Sequence, residues 1–327
     1  MVRARHLLEQ RRMLAAVGRT AMTALRQRLS GAGDPGSFCV PGPELTAVVP
    51  PPSPSLVADY VRSVGGDPSA YRSRLPPHLF PQWTFPLLAR TLDGLPYPVL
   101  RVVNGGCRLS LNAPLPVGET LTVRAQLAGV EDKGRHVVLH QRVSTGPAAR
   151  PDAVTADLYV IVPTSDGGGA AKNGTNGTNG TSHKNGHNGH KEIALVPPGA
   201  RELAYWRLPA DAGLSFAMHT GDVNPLHWLP AYAQAFGFRS PILHGFATLA
   251  RAIEGLQRAL FAGSVDRLAA VDVRFARALP LPARVGLYVG AGGAVFVGDA
   301  PGGFAYLTGH YDPMQEPWEG SRTLPRE

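Results

Sequence analysis

Apolar residues at Phe246, Leu249, Ala250, Ile253, Leu256 and Leu260 recur at the three- and four-residue spacing that gathers side chains on one face of a helix. The stripe is broad and apolar enough for the helix to be buried. Short runs of β-type patterning follow at 271–276, 284–290, 293–298 and 303–309, separated by proline or glycine breaks. An earlier helical stretch, 85–95, is followed in the same way by runs at 106–111, 119–130, 134–145 and 153–162. One long apolar helix followed by a strand meander predicts an antiparallel sheet wrapped around that helix, and here the arrangement occurs twice.

The two stretches are also alike residue by residue. Phe85, Leu88, Ala89, Arg90, Gly94 and Leu95 match Phe246, Leu249, Ala250, Arg251, Gly255 and Leu256 in order and spacing. Further on, Pro114-Leu115-Pro116 and Leu121-Thr122-Val123 match Pro280-Leu281-Pro282 and Leu287-Tyr288-Val289. Between the copies, residues 165–192 alternate Gly, Asn, Thr, Lys and His with no apolar anchor, the composition of a flexible linker. The organisation expected is therefore a basic helical extension at 1–35, a first unit at 36–164, the linker at 165–192, a second unit at 193–315 and a tail at 316–327.

Composition narrows the class. With 44% hydrophobic and 17% charged residues over 327 positions, the chain reads as globular, and no run of about 18 apolar residues predicts a membrane span. Two cysteines, Cys39 and Cys107, stand in no redox or metal spacing and fit a reducing compartment such as the cytoplasm. The formal charge of +8 suits an acidic partner, but no nucleic-acid reader motif accompanies it. Seven arginines between Arg3 and Arg28 read as a basic amphipathic helix on the protein's own surface or, alternatively, as a mitochondrial transit peptide. The sequons at Asn173, Asn176 and Asn179 read as unmodified, and His183, His187 and His190 do not make a metal site.

Candidate chemistry collects ahead of the second helix. Gly221-Asp222-Val223-Asn224-Pro225-Leu226-His227 is followed by Pro241-Ile242-Leu243-His244-Gly245, which leads directly into Phe246. Pro225 and Pro230 argue for a loop and turn, which can aim Asp222 and His227 at one point where a continuous helix would part them. A carboxylate and an imidazole serve acid–base chemistry, and Asn224 has the groups to hold the same water. The N–H of Gly245, at the first turn of a buried helix, favours developing negative charge. Each residue also has an ordinary reading: Asn224 as an N-cap, Asp222 in a turn, His227 at a helix start, Gly245 in close packing.

At these residues the sequence resembles the MaoC-like hydratase/dehydratase family of hotdog proteins, whose signature is Gly-Asp-x-Asn-Pro-x-His followed by Pro-x-x-His-Gly. The resemblance implies an α+β fold of two tandem hotdogs, each an antiparallel sheet around a long helix. It implies catalytic roles for Asp222, His227, Asn224 and Gly245, substrate contacts from Gly221, Pro241, His244 and Phe246, and neither cofactor nor metal. The reaction implied is reversible addition of water to a trans-2-enoyl thioester of CoA or acyl carrier protein, giving the (R)-3-hydroxyacyl thioester. Setting Gly66-Asp67 against Gly221-Asp222 puts Ser69 at the place of Asn224, Arg72 at that of His227 and Trp83-Thr84 at that of His244-Gly245. The first unit is thus expected to have lost catalysis. A non-catalytic thioester-binding module and a thioesterase are the alternatives, and a homodimer stays open.

Overall fold

The computed structural model describes His6, Glu9, Gln10 and residues 38–97, 102–164 and 193–315. The linker at 165–192, the tail at 316–327 and most of the basic segment at 1–35 therefore lie outside the described residues. The first half comprises β1 (Leu45–Val49), α1 (Pro54–Ser63), α2 (Pro81–Arg90), β2 (Val103–Leu111), β3 (Leu121–Asp132), β4 (His136–Gly146) and β5 (Val154–Pro163). In the second half come β6 (Arg201–Leu208), α3 (Ala212–Thr220), α4 (Pro230–Ala235), β7 (Ile242–Leu243), α5 (Gly245–Leu260), β8 (Leu268–Phe275), β9 (Leu279–Pro280), β10 (Ala283–Val289), β11 (Ala294–Gly298) and β12 (Ala305–Pro313).

Ten strands form one antiparallel sheet in the order β1-β3-β4-β5-β2-β8-β12-β11-β10-β6, five from each half. The halves join at β2 and β8, whose register runs from Gly106 opposite Arg274 to Ser110 opposite Ala270. Alternation in the strands decides which face is covered: Leu121, Val123, Ala125 and Leu127 of β3 and Val137, Leu139 and Val143 of β4 are buried. Helix α2 packs on β1, β3 and β4, while α5 packs on β6, β8 and β12. A single apolar cluster contains side chains of both halves, from Leu56 and Leu121 through Leu249 to Leu307.

The helical stripe read from the sequence faces this core. Phe246, Leu249, Ala250, Ile253 and Leu256 are buried, and Leu260 is half-buried at the end of α5. In the first half the expected long helix is cut short, since α2 begins at Pro81 and ends at Arg90. Pro86 within it has no N–H to donate. Gly94, at φ +82°, lies in the turn that takes the chain off the helix line. Strands β1 and β6 and the small β7–β9 ladder are additions to the sequence reading. Among the described residues no helix is long and apolar enough to cross a membrane.

Candidate active site

Helix α3 ends on Gly221, which takes the left-handed conformation (φ 79°) and returns its N–H to the Ala217 carbonyl at 2.8 Å. That reversal starts the loop carrying Asp222. Asn224 then caps a single 3₁₀ turn, Pro225–His227, its side-chain oxygen accepting from the Leu226 N–H at 3.1 Å. The N-cap reading of Asn224 therefore describes what its oxygen does here, and the residue is exposed. The turn sits hard against α3: a Cβ on Gly213 would lie 1.9 Å from the His227 carbonyl oxygen, so only glycine allows this approach.

The expected meeting of side chains occurs. Ligand-type atoms of Asp222, His227 and His244 lie within 4.8 Å of one another. His227 Nδ1 is 2.9 Å from the Ile242 carbonyl of β7, so Nδ1 carries the hydrogen and Nε2 keeps its lone pair. His244 caps the start of α5 and stacks on His227 with ring centroids 3.6 Å apart. Its Nε2 donates to the Asp222 backbone carbonyl at 3.0 Å and lies 3.8 Å from Asp222 Oδ2.

Burial governs the titration of this group. It raises the Asp222 carboxyl above its ordinary value, against the His227 charge and a hydrogen bond from the Asn224 backbone, which pull it down. It lowers His227, which the Asp222 charge and the Ile242 carbonyl oppose. His244 is driven well below the usual histidine range by burial and by its neighbour His227. Histidine at 244 is therefore a neutral spacer under ordinary conditions. It fixes the Asp222 backbone from one edge and His227 by its face.

Gly245 opens α5, and a Cβ there would fall 2.7 Å from the Phe275 ring. Phe246 follows, 2% exposed, with Phe80, Phe85 and Phe275 at ring-centroid distances of 5.5, 5.3 and 5.3 Å. This aromatic group joins the start of α5 to the first half. Pro241 does backbone work, its carbonyl accepting from Leu281 N–H at 2.8 Å beside the β7–β9 ladder. In a Gly245→Ala protein Phe275 or the helix start must move. Overpacking of this kind costs about 1–3 kcal/mol, and a misplacement near 1 Å at a reacting centre costs about 10²-fold. The expected outcome is a lowered melting temperature together with turnover reduced about 10²-fold, checked by thermal unfolding and steady-state rates on one preparation.

The first half lacks this arrangement, though in a register different from the one read in the sequence. Gly65 has φ +87°, like Gly221 at +79°, and Asp67 caps the turn Pro68–Tyr71 through the Ser69 N–H at 2.9 Å, as Asn224 caps its own. The first-half loop is therefore one residue shorter, with Gly66 facing the place of Asp222 and Ala70 that of His227. A Cβ on Gly66 would lie 2.4 Å from the Glu254 carboxylate of α5, which fills this space. At the helix start, Pro81 has no N–H, and Thr84 N–H is committed to the Phe80 carbonyl at 3.0 Å.

The sequence reading missed a buried polar group nearby. Glu254 accepts from the Tyr71 hydroxyl at 2.8 Å and lies 3.0 Å from His78 Nε2; His78 Nδ1 is 3.0 Å from the Tyr60 hydroxyl. Positions 78 and 254 are too far apart in the chain for any local pattern to pair them.

Comparison with known proteins agrees with this architecture. Residues 197–295 match the family described as MaoC like domain. The chain is 28% identical over 186 residues to the peroxisomal multifunctional enzyme type 2 of Mus musculus, covering 57% of this chain and 23% of that protein. With 3-hydroxyacyl-thioester dehydratase X of Mycobacterium tuberculosis it shares 26% identity over 257 residues, 77% of this chain and 82% of that one. The chain spans less than two thirds of the length of the first curated relatives it matches. Among solved structures, HtdX of Mycobacterium tuberculosis superposes with a TM-score of 0.62 at 20% identity, over 83% of this chain and 100% of that one. A second protein of that organism, described as a double hotdog fold, gives a TM-score of 0.50 at 14% identity over 86% of this chain and 99% of that one. Residues 197–295 thus resemble a MaoC-like domain, and the two halves together have the double hotdog fold.

Proposed function

We propose that the chain is a hydro-lyase interconverting trans-2-enoyl and (R)-3-hydroxyacyl thioesters, with one working site in its second half. The observation that carries this reading is the convergence of Asp222 and His227, next to the first turn of α5. The names of the relatives, enoyl-CoA hydratase 2 and 3-hydroxyacyl-thioester dehydratase X, support the same reaction.

In this mechanism Asp222 and His227 hold one water between them, and Asn224 steadies it through its amide nitrogen, the oxygen being committed to the cap. In hydration the water attacks C3 as its proton passes to the pair, and C2 is protonated from the same site. The Gly245 N–H, at a helix N-terminus, bears on the thioester oxygen as it gains enolate charge. Phe246 and its aromatic neighbours give the acyl side an apolar wall shared with the catalytically degenerate first half. The thioester is carried by CoA or an acyl carrier protein, acidic groups that a chain of charge +8 attracts.

Crotonyl-CoA tests the proposal directly. Expected is loss of the enoyl absorbance with formation of the (R)-3-hydroxy product and no release of free thiol. Thiol release would instead mark a thioesterase. Binding without either change would mark a non-catalytic thioester module and overturn the assignment.

A further inference from the structure

A second group of ligand-type side chains meets away from Asp222 and His227. His6 comes from the N-terminal segment, Asp59 from α1 and His219 from α3, and their ligand atoms lie within 4.8 Å of one another. His6 is 1% and His219 7% exposed, so both imidazoles are enclosed. Three separate pieces of chain supply them, and no motif in the sequence announces the group.

One edge of the group has the spacing of a coordination shell. His6 Nε2 and Asp59 Oδ2 are 3.1 Å apart. Two ligands at zinc bond lengths on adjacent corners of a tetrahedron stand about 3.3 Å apart. The far nitrogen of each ring already has an outer partner. His6 Nδ1 is 3.1 Å from Glu9 Oε1, and Glu9 is itself held by the Ser53 hydroxyl at 2.8 Å and the Ser53 N–H at 3.2 Å. His219 Nδ1 lies 3.5 Å from the Ser63 hydroxyl. A carboxylate or hydroxyl on the outer nitrogen is what orients histidines in metal centres.

We propose that His6, Asp59 and His219 bind one divalent transition-metal cation of the zinc kind, with water in the fourth position. Two imidazoles and one carboxylate form a mixed nitrogen and oxygen set that favours Zn²⁺ or Co²⁺ over Mg²⁺ or Ca²⁺. On binding, any proton carried by His6 Nε2 is released to solvent. Asp59 Oδ1 also meets the Arg62 guanidinium at 3.2 Å, which leaves Oδ2 as the oxygen turned toward His6. The bound cation ties the N-terminal segment to α1 and α3. Gln10 already anchors there, donating to the His219 carbonyl at 2.8 Å. Two residues after Thr220, where α3 ends, stands Asp222, so the clamp bears on the approach to the catalytic loop.

The test uses the full chain in which His183, His187 and His190 are replaced by alanine, stripped with a chelator and titrated with Co²⁺ and Zn²⁺. Expected are about one tight equivalent per chain, the d–d absorption of four-coordinate Co²⁺, and a zinc-dependent rise in melting temperature. All three should be lost in His6→Ala and in His219→Ala and kept in His227→Ala, which removes a ligand from the other histidine group. Near-UV circular dichroism checks folding, and Asp59→Asn stands in for a variant that fails to fold. Absence of a tight equivalent, its survival in both His6→Ala and His219→Ala, or its loss in His227→Ala would each overturn the site.

Discussion

Replacing His227 by alanine, or Asp222 by asparagine, is expected to reduce turnover on an enoyl thioester about 10²–10⁴-fold, the usual worth of a positioned acid–base group. On the barrier this is about 3–5 kcal/mol. The expectation follows from geometry: His227 is half-buried, held at Nδ1 by the Ile242 carbonyl, and contributes little to the core. Its loss should therefore be felt in rate far more than in folding. His227→Gln, which keeps a donor for the Ile242 carbonyl, separates the two effects. It should melt near the parent temperature and remain as slow as the alanine variant. Rates close to the parent in folded Asp222→Asn and His227→Ala proteins would remove both residues from the mechanism.

The largest loss of stability is expected from Glu254→Ala. Glu254 and His78 are 7% and 1% exposed and 3.0 Å apart, joining α5 to the loop before α2. The Tyr71 hydroxyl also lies 3.0 Å from the Gln257 amide oxygen, so its one hydrogen keeps an acceptor when Glu254 is removed. His78 Nε2 is left with the Tyr71 hydroxyl, 3.3 Å away, as its remaining partner beside the vacated space. Breaking a buried pair in this way costs about 3–5 kcal/mol, whereas exposed pairs are worth about 0–1 kcal/mol. Arg108 and Asp272, 45% and 49% exposed across the β2–β8 seam, provide that comparison. Chemical denaturation should show a lower midpoint at unchanged slope in Glu254→Ala, a smaller loss in Glu254→Gln, and almost none in Asp272→Asn. A Glu254→Ala protein within about 0.5 kcal/mol of the parent, the range of surface changes, would show that the pair contributes nothing net.

Much of this architecture was legible because it is written in short-range periodicity. The strands of both meanders fall within a few residues of the alternating runs, and the face of α5 is the one its apolar spacing selects. The loop that brings Asp222 near His227 was legible too, since two prolines and a capping asparagine bend the chain there. Long-range pairings were not. Strand β1 has only five residues, and both it and β6 are partly exposed, with little apolar alternation to mark them. The first-half loop was aligned through its Gly-Asp pair, yet its landmarks are the left-handed Gly65 and the capping Asp67, one position out of step. Glu254 stands on a helix stripe where a charged residue reads as solvent-facing. It is buried because the other half of the molecule brings Tyr71 and His78 to it.

The pairing of Gly106–Ser110 with Arg274–Ala270 has a consequence for dissection of the molecule. Every group of the proposed acid–base apparatus lies beyond residue 220, so a fragment beginning at β6 would carry all of it. That fragment would not be a portable catalyst. Its β8 would present an unsaturated edge of N–H and C=O groups, an invitation to self-association. By covering that edge, the leading hotdog keeps its partner discrete.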